Sequence, residues 1–269
     1  MPAWICARTT EATCVRSVRS LLLHPAAKPL VFVLCLLPLA GLIVGAAADQ
    51  LGANPAETLI RSAGDWTLRF LCLTLAVTPL RVRTRTPQLA RFRRMLGLFT
   101  FFYACMHLLA YGWLDMGFDM AEIGRDILKR PFILVGFTSW LLLLPLALTS
   151  FNRAVRWLGG RQWQALHRLV YLIAGLVLLH FFWMRAGKND FAEVAVYALI
   201  VAALLLERLL RYCARPPFAM DRLRKEGSKL VYRCGKQRSE PTSDKRGAKA
   251  DELHLTPLEL IDRIAALVP

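Results

Sequence analysis

Residues Arg94–Asp115 read RMLGLFTFFYACMHLLAYGWLD. Between the charged ends runs an apolar stretch, 95–114, close to the length a helix needs to cross the hydrocarbon core of a bilayer. Backbone groups in hydrocarbon must be bonded within their own segment, so the stretch is a helix rather than an open strand. One histidine, His107, lies inside it. A histidine at that depth is costly unless something uses it. Neutral imidazole in a dry helical bundle is a natural axial ligand for haem iron.

Five further stretches of similar character lie near 30–48, 63–80, 132–150, 166–184 and 192–210. At 56% hydrophobic residues and a mean hydropathy of +0.41, the 269-residue chain is too apolar for an ordinary soluble domain. The expected fold is all-α: a polytopic membrane protein with a six-helix transmembrane bundle and a partly disordered cytoplasmic tail. Basic residues set the orientation. Arg8, Arg16, Arg19 and Lys28, then Arg81, Arg83, Arg85, Arg91, Arg93 and Arg94, then Arg153, Arg156 and Arg161 lie on one side. They outnumber Arg61, Arg125, Lys129, Arg130, Arg185 and Lys188 on the other. Both termini are therefore expected in the cytoplasm. The net charge of +16 reads as topology and contact with anionic membrane lipid, with no nucleic-acid partner. Ala46-Ala47-Ala48 after an apolar run also resembles a signal-peptidase site. The length of that run and the five spans after it favour an uncleaved first helix.

Two more histidines, His167 and His180, fall on or at the edge of the fifth stretch. At about 1.5 Å per residue, His107 lies about 20 Å from Arg94 and His180 about 7–8 Å inside Arg185. Helices three and five run in the same direction, so these two histidines sit at similar heights, as axial ligands on opposite faces of one haem must. His167 lies about 20 Å from His180 along a helix and is turned away by about 220°. It can ligate a second haem nearer the cytoplasm, hold a flavin or quinone there, or simply be an interfacial residue beside Trp163 and Arg168. Arg69 lies near the level of His107 and His180. It suits a haem propionate, an i,i+4 pair with Asp65, or both. His24 and His254 lie outside the spans. The seven cysteines are scattered without a C-x-x-C or C-x-x-C-H spacing, which argues against covalently attached haem, a thiol redox pair or structural zinc.

The order and spacing of several segments resemble a known family. They are Leu51-Gly-Ala-Asn-Pro, Gly64-Asp-Trp-Thr-Leu-Arg-Phe-Leu, Arg93-Arg-Met-Leu-Gly-Leu, His107-Leu-Leu-Ala-Tyr, Lys129-Arg-Pro, Leu148-Thr-Ser and Trp163-Gln-Ala-Leu-His-Arg-Leu-Val-Tyr. From about Pro29 to Leu206 the chain is similar to the MsrQ (YedZ) family, haem-binding membrane subunits of the periplasmic methionine sulfoxide reductase system. That family lies within the ferric-reductase-like transmembrane superfamily. The resemblance implies haem b with ligands drawn from His107, His167 and His180, an associated FMN, and a place in the bacterial inner membrane. It further implies electron delivery from the quinone pool, or from a cytosolic flavin reductase, to a periplasmic molybdopterin-containing catalytic subunit with which the chain forms a heterodimer. That subunit reduces methionine sulfoxide in oxidised periplasmic proteins. Superfamily relatives that reduce iron or oxygen carry four ligating histidines, whereas the matching inner position on helix three here is near Arg93 or Arg94.

Two axial imidazoles leave iron no open position, which favours electron transfer over substrate chemistry. The chain is thus expected to be an electron-transfer subunit of an oxidoreductase rather than its catalytic subunit. No Rossmann-type glycine fingerprint follows a predicted strand, and the tail is too short for flavin and nicotinamide domains. The alternatives are a stand-alone ferric or quinone reductase, or a haem-free scaffold or transporter.

The expected organisation is a cytoplasmic segment 1–28, a haem domain 29–210 and a tail 211–269. From about Glu207 the sequence, including Lys229-Leu-Val-Tyr-Arg and Leu255-Thr-Pro-Leu-Glu-Leu, resembles part of an insertion-sequence transposase. A mobile element fused in frame would account for it, without the transposase's catalytic region. Residues 235–251 read as disordered, and 255–268 allow a short amphipathic helix.

Overall fold

The computed structural model describes residues 22–186, 191–213, 223–226, 229–233 and 252–256. The chain divides into two compact units, Met1–Arg208 and Leu209–Pro269.

In the first unit, α1 spans Ala27–Ala47, α2 Pro55–Arg83 and α3 Ala90–Ala110, which runs on through a π-turn at Tyr111–Asp115. The short helix α4 (Met120–Lys129) leads into α5 (Pro131–Leu148). Then come α6 (Asn152–Leu158), α7 (Gly160–His167), α8 (Leu169–Ala186) and α9 (Ala192–Cys213), the last of which runs across the division between the units. The six long helices, α1, α2, α3, α5, α8 and α9, coincide with the six predicted stretches. By length and composition alone, four segments among the described residues can cross a membrane: Ala27–Ala47, Pro87–Asp115, Pro131–Leu148 and Gly160–Ala186. The helices α2 and α9 carry more charged residues, among them Asp65 and Arg69 on α2 and Glu193 and Glu207 on α9.

Local chemistry moves some boundaries. Helix α2 starts at Pro55, well before the apolar stretch at 63, because Asn54 caps it. The Asn54 side chain accepts from Glu57 N at 3.2 Å, Pro55 supplies a ready-made first turn, and Glu57 pairs with Arg61 at 2.7 Å. Asp119 caps α4 in the same manner, accepting from Ala121 N and Glu122 N at 2.9 and 3.0 Å. Gly159, at φ +76°, turns the chain between α6 and α7. The fifth predicted stretch is not one straight helix, since α7 ends at His167 and α8 begins at Leu169.

Helix α2 packs along α3, and α5 along α8. One core joins Leu68, Leu71 and Leu75 of α2 to Leu143 and Leu146 of α5 and to Ile173 and Ala174 of α8. A second is aromatic, with Phe70 stacked between Phe99 and Tyr103 at 5.8 and 5.1 Å. Tyr103 is fully buried. Its hydroxyl donates to Cys35 O at 2.9 Å and accepts from Leu39 N at 3.1 Å. Those two groups are the i−4, i pair that regular helix geometry would join beside Pro38, so the phenol secures α1 to α3 where the proline disturbs the ladder.

The second unit contains a feature the sequence reading did not anticipate. Strands Leu223–Glu226, Lys229–Arg233 and Glu252–Leu255 form an antiparallel sheet in that order, with Leu223 opposite Tyr232 and Leu230 opposite Leu255. The all-α expectation therefore holds for the membrane unit, and the tail adds a small sheet. Leu255 ends the third strand rather than starting a helix. Residues 235–251 and 257–268, where disorder and an amphipathic helix were expected, lie outside the described residues, as do residues 1–21.

Candidate haem site

The structure brings His107 of α3 and His180 of α8 together. Their ring centroids are 6.1 Å apart, with the planes at 75°. Each ring is held by the same device. His107 Nδ1 lies 2.8 Å from Ile60 O, and the ring lies against Gly64 of the same helix, α2. His180 Nδ1 lies 2.7 Å from Phe132 O, and its ring lies against Gly136 of α5. In both cases a carbonyl accepts the hydrogen bond and a glycine one helical turn later makes room for the ring. A carbonyl can only accept, so each imidazole carries its proton on Nδ1 and keeps the Nε2 lone pair for another use. A carbonyl on the far ring nitrogen fixes the tautomer and orientation of a metal-ligating histidine in this way.

The glycines are needed for space. A Cβ built on Gly64 would meet His107 Cε1 and Nδ1 at 3.2 Å, and one on Gly136 would meet the same atoms of His180 at 2.9 Å. Small residues let membrane helices approach closely; here they let a helix backbone approach an imidazole.

Both rings line a cavity of about 300 Å³ between α2, α3, α5 and α8. Its walls are mainly apolar, with Trp140 on one side, and Arg61, Arg130 and Arg185 are also in the lining. Arg185 pairs with Glu193 at 2.6 Å and approaches Asp65 at 3.7 Å. Below His107 the π-turn, a rare conformation often found at functional sites, places the Tyr111 hydroxyl 2.7 Å from Asp126 Oδ2. Arg130 pairs with the other oxygen of Asp126 at 2.9 Å, which ties α4 to the cavity's rim.

These residues fit a haem. Two metal–imidazole bonds of roughly 2 Å plus two half-rings total about 6 Å, against the 6.1 Å observed. Both Nε2 atoms lack a hydrogen-bond partner among the described residues, the walls are apolar, and three arginines stand in the lining, each ion-paired to a carboxylate of the chain. Among the described residues no cluster of three or more His, Cys, Asp or Glu side chains could hold a bare metal ion. A two-ligand porphyrin iron needs no such cluster.

His167 is not part of this cavity. At the end of α7 its ring stacks on Trp163, with centroids 3.9 Å apart, and its Nδ1 lies 3.0 Å from Trp163 O. Its Nε2 is buried with no hydrogen-bond partner among the described residues. It lines a second cavity, also about 300 Å³, together with Arg93, Arg94, Gly97, Thr100 and Phe101. Arg69, expected beside a propionate, does not line the first cavity. Its Nε donates to Tyr197 Oη of α9 at 3.2 Å, and its guanidinium lies over the Trp66 ring at 4.6 Å. The alternative partner, Asp65, forms its ion pair with Arg185 instead.

Residues 63–179 match the family described as the ferric reductase like transmembrane component. A protein of Polaromonas naphthalenivorans is 69% identical over 194 residues, covering 72% of this chain and 89% of the relative. It is named protein-methionine-sulfoxide reductase heme-binding subunit MsrQ. The chain belongs to the MsrQ family. MsrQ proteins of Herminiimonas arsenicoxydans and Ralstonia nicotianae are 54% and 55% identical, covering 68% and 65% of this chain and 84% and 81% of their own lengths. Residues 185–269 match a family described as putative transposase, in keeping with the tail's resemblance. That match begins earlier than Glu207, where the sequence ceases to read as MsrQ. No solved structure matches.

Sequence reasoning missed Gly64, Gly136, Arg61, Arg130 and Arg185. Gly64 stands inside one of the segments that carried the resemblance. Its role depends on which helices adjoin, and a single sequence does not say that.

Proposed function

We propose that this chain is the haem b electron-transfer subunit of a methionine sulfoxide reductase system, with His107 and His180 as the axial ligands of one haem. The observation that carries this is the paired device at the two histidines: each Nδ1 is engaged by a helix carbonyl, each ring is admitted by a glycine, and the rings stand 6.1 Å apart. When bound, the haem supplies a one-electron iron couple. The chain's residues hold the imidazoles neutral and oriented and exclude water with Leu68, Leu143 and Phe181. Arg61, Arg130 and Arg185, paired with Glu57, Asp126 and Glu193, would have to share or exchange those partners to meet carboxylates of the group.

His167, with Arg93 and Arg94 beside it, is the second cofactor position in this reading, for a further haem or for FMN. Electrons enter from a quinone or a cytosolic flavin reductase and leave to a periplasmic molybdopterin-containing catalytic subunit that repairs oxidised proteins. The chain crosses the bacterial inner membrane with both termini in the cytoplasm, supported by the excess of arginine in the 81–94 and 153–161 loops. Residues 1–28 are a cytoplasmic segment, 29–210 the haem domain, and 211–269 a transposase-derived passenger without DNA chemistry. The test is haem and flavin per chain in purified protein and in the variant His167→Ala. Loss of about half the haem assigns a second haem to His167; loss of flavin alone assigns FMN. No haem in well-folded wild-type protein from haem-replete cells would refute the reading.

A second reading, suggested by the ferric reductase like match, is a stand-alone reductase. It requires turnover of a ferric chelate without the catalytic subunit.

A further inference from the structure

We infer that Trp140 and Phe101 form the electronic bridge between the two cavities, an inference that rests on both cavities holding redox groups as proposed above. Trp140 lines the first cavity and Phe101 the second. Their rings are stacked, with centroids 6.4 Å apart and planes at 20°. Among the described residues, this is the one aromatic pair with a ring in each lining.

Three contacts fix the indole. It stacks on Phe101 and on Phe137, the latter at 5.8 Å and 26°. Its Nε1–H donates to Cys105 Sγ at 3.3 Å. Cys105 stands two residues before His107, and Gly136 stands one turn before Trp140 on α5. The elements that place the two imidazoles therefore also place the indole. The competing route through Leu143, which lines both cavities, is a saturated side chain. At equal separation, π systems couple a donor to an acceptor more strongly than saturated carbon does, because tunnelling falls exponentially with the height and width of the barrier.

One electron leaves a donor on the His167 side, a reduced flavin or a quinol by chemical class, and arrives at the group held by His107 and His180. The donor is oxidised by one electron and the acceptor reduced by one. The two rings are neither oxidised nor reduced, and no bond forms or breaks in them.

The experiment uses haem-loaded, full-length protein in membrane vesicles of both orientations, with dithionite added outside as a reductant that does not cross the membrane. The readout is the rate at which the absorption spectrum of the His107/His180 haem becomes that of the reduced form. Trp140→Leu and Phe101→Leu are expected to slow reduction from the His167 side by an order of magnitude. In Phe101→Leu, whose ring lies outside the haem cavity, reduction from the opposite side, the oxidised spectrum and the midpoint potential are expected to stay at wild-type values, which a general packing defect would not allow. Trp140→Phe, which keeps a ring, is expected to recover most of the rate. If Trp140→Leu loses haem, Phe101→Leu, outside the first cavity, decides. Wild-type rates from the His167 side in a haem-loaded leucine variant would overturn the bridge. A wild-type protein without haem would instead overturn the function proposed above.

Discussion

Replacing Gly136 by alanine tests the way the site is built. The added Cβ would lie 2.9 Å from both Cε1 and Nδ1 of His180 and 3.3 Å from its Nε2. Carbon contacts settle at about 3.5–4.0 Å, so the ring or α5 must give way by roughly 0.6–1 Å. The methyl presses on the ring itself rather than on the free end of a flexible chain. Phe132, whose carbonyl accepts the Nδ1–H hydrogen bond, is one turn away on the same helix. A retreat of that size lengthens the 2.7 Å hydrogen bond toward the limit of hydrogen-bond geometry. Overpacking of this kind costs about 1–3 kcal/mol. Loss of a ligand's outer-shell partner lowers metal affinity about 10–100-fold. Gly64→Ala, at 3.2 Å from His107, is expected to show a weaker effect in the same direction. Gly175→Ala on α8 adds a methyl with nothing within 4 Å and is expected to behave as wild type. The assay is haem per chain and haem affinity of purified protein, with the absorption spectrum as a check on axial ligation. Full occupancy, unchanged affinity and an unchanged spectrum in Gly136→Ala would refute the reasoning. Equal losses in Gly136→Ala and Gly175→Ala would refute it too, by showing that any added methyl in these helices suffices.

Other perturbations read other parts of the structure. Tyr103→Phe removes the hydroxyl shared by Cys35 O and Leu39 N and is expected to cost about 1–3 kcal/mol, seen as a lower thermal midpoint in detergent. Asp126→Ala leaves Arg130 and the Tyr111 hydroxyl without their shared partner, with a loss of similar size and faster proteolysis of the α4 segment. Deleting residues 214–269 is expected to leave haem per chain and electron delivery at full-length values, measured by pyridine haemochrome and dye-coupled reduction. A large gain would instead show that the tail obstructs the protein.

The long helices and the matched heights of His107 and His180 were legible in the sequence, because hydrophobic length and a fixed rise per residue carry that information. The start of α2 was legible in principle: Asn54-Pro55 followed by Glu57 is a helix-start signal, but a reading by apolar length skips a charged first turn. The separation of His167 from His180 was legible as well: a straight-helix extrapolation turned it about 220° away, and it lines a second cavity, although the chain breaks at Arg168, which the extrapolation did not foresee. Arg69 was misplaced because depth along a helix does not say which neighbour a long side chain meets, and Tyr197 on α9 is the one it meets. The glycine–carbonyl device depends on pairing α2 with α3 and α5 with α8, and helical periodicity does not encode partners. The sheet strands are four or five residues long, too short for a periodicity of their own to stand out.

The central claim is that His107 and His180 together hold one haem. It is tested most directly by oxidised and dithionite-reduced absorption spectra of the purified protein, with haem quantified per chain, in wild type, His107→Ala and His180→Ala. The expected result is a low-spin b-type spectrum in wild type and loss of the same spectral component in both variants. Well-folded wild-type protein without haem, or either alanine variant keeping the full wild-type spectrum, would contradict the account.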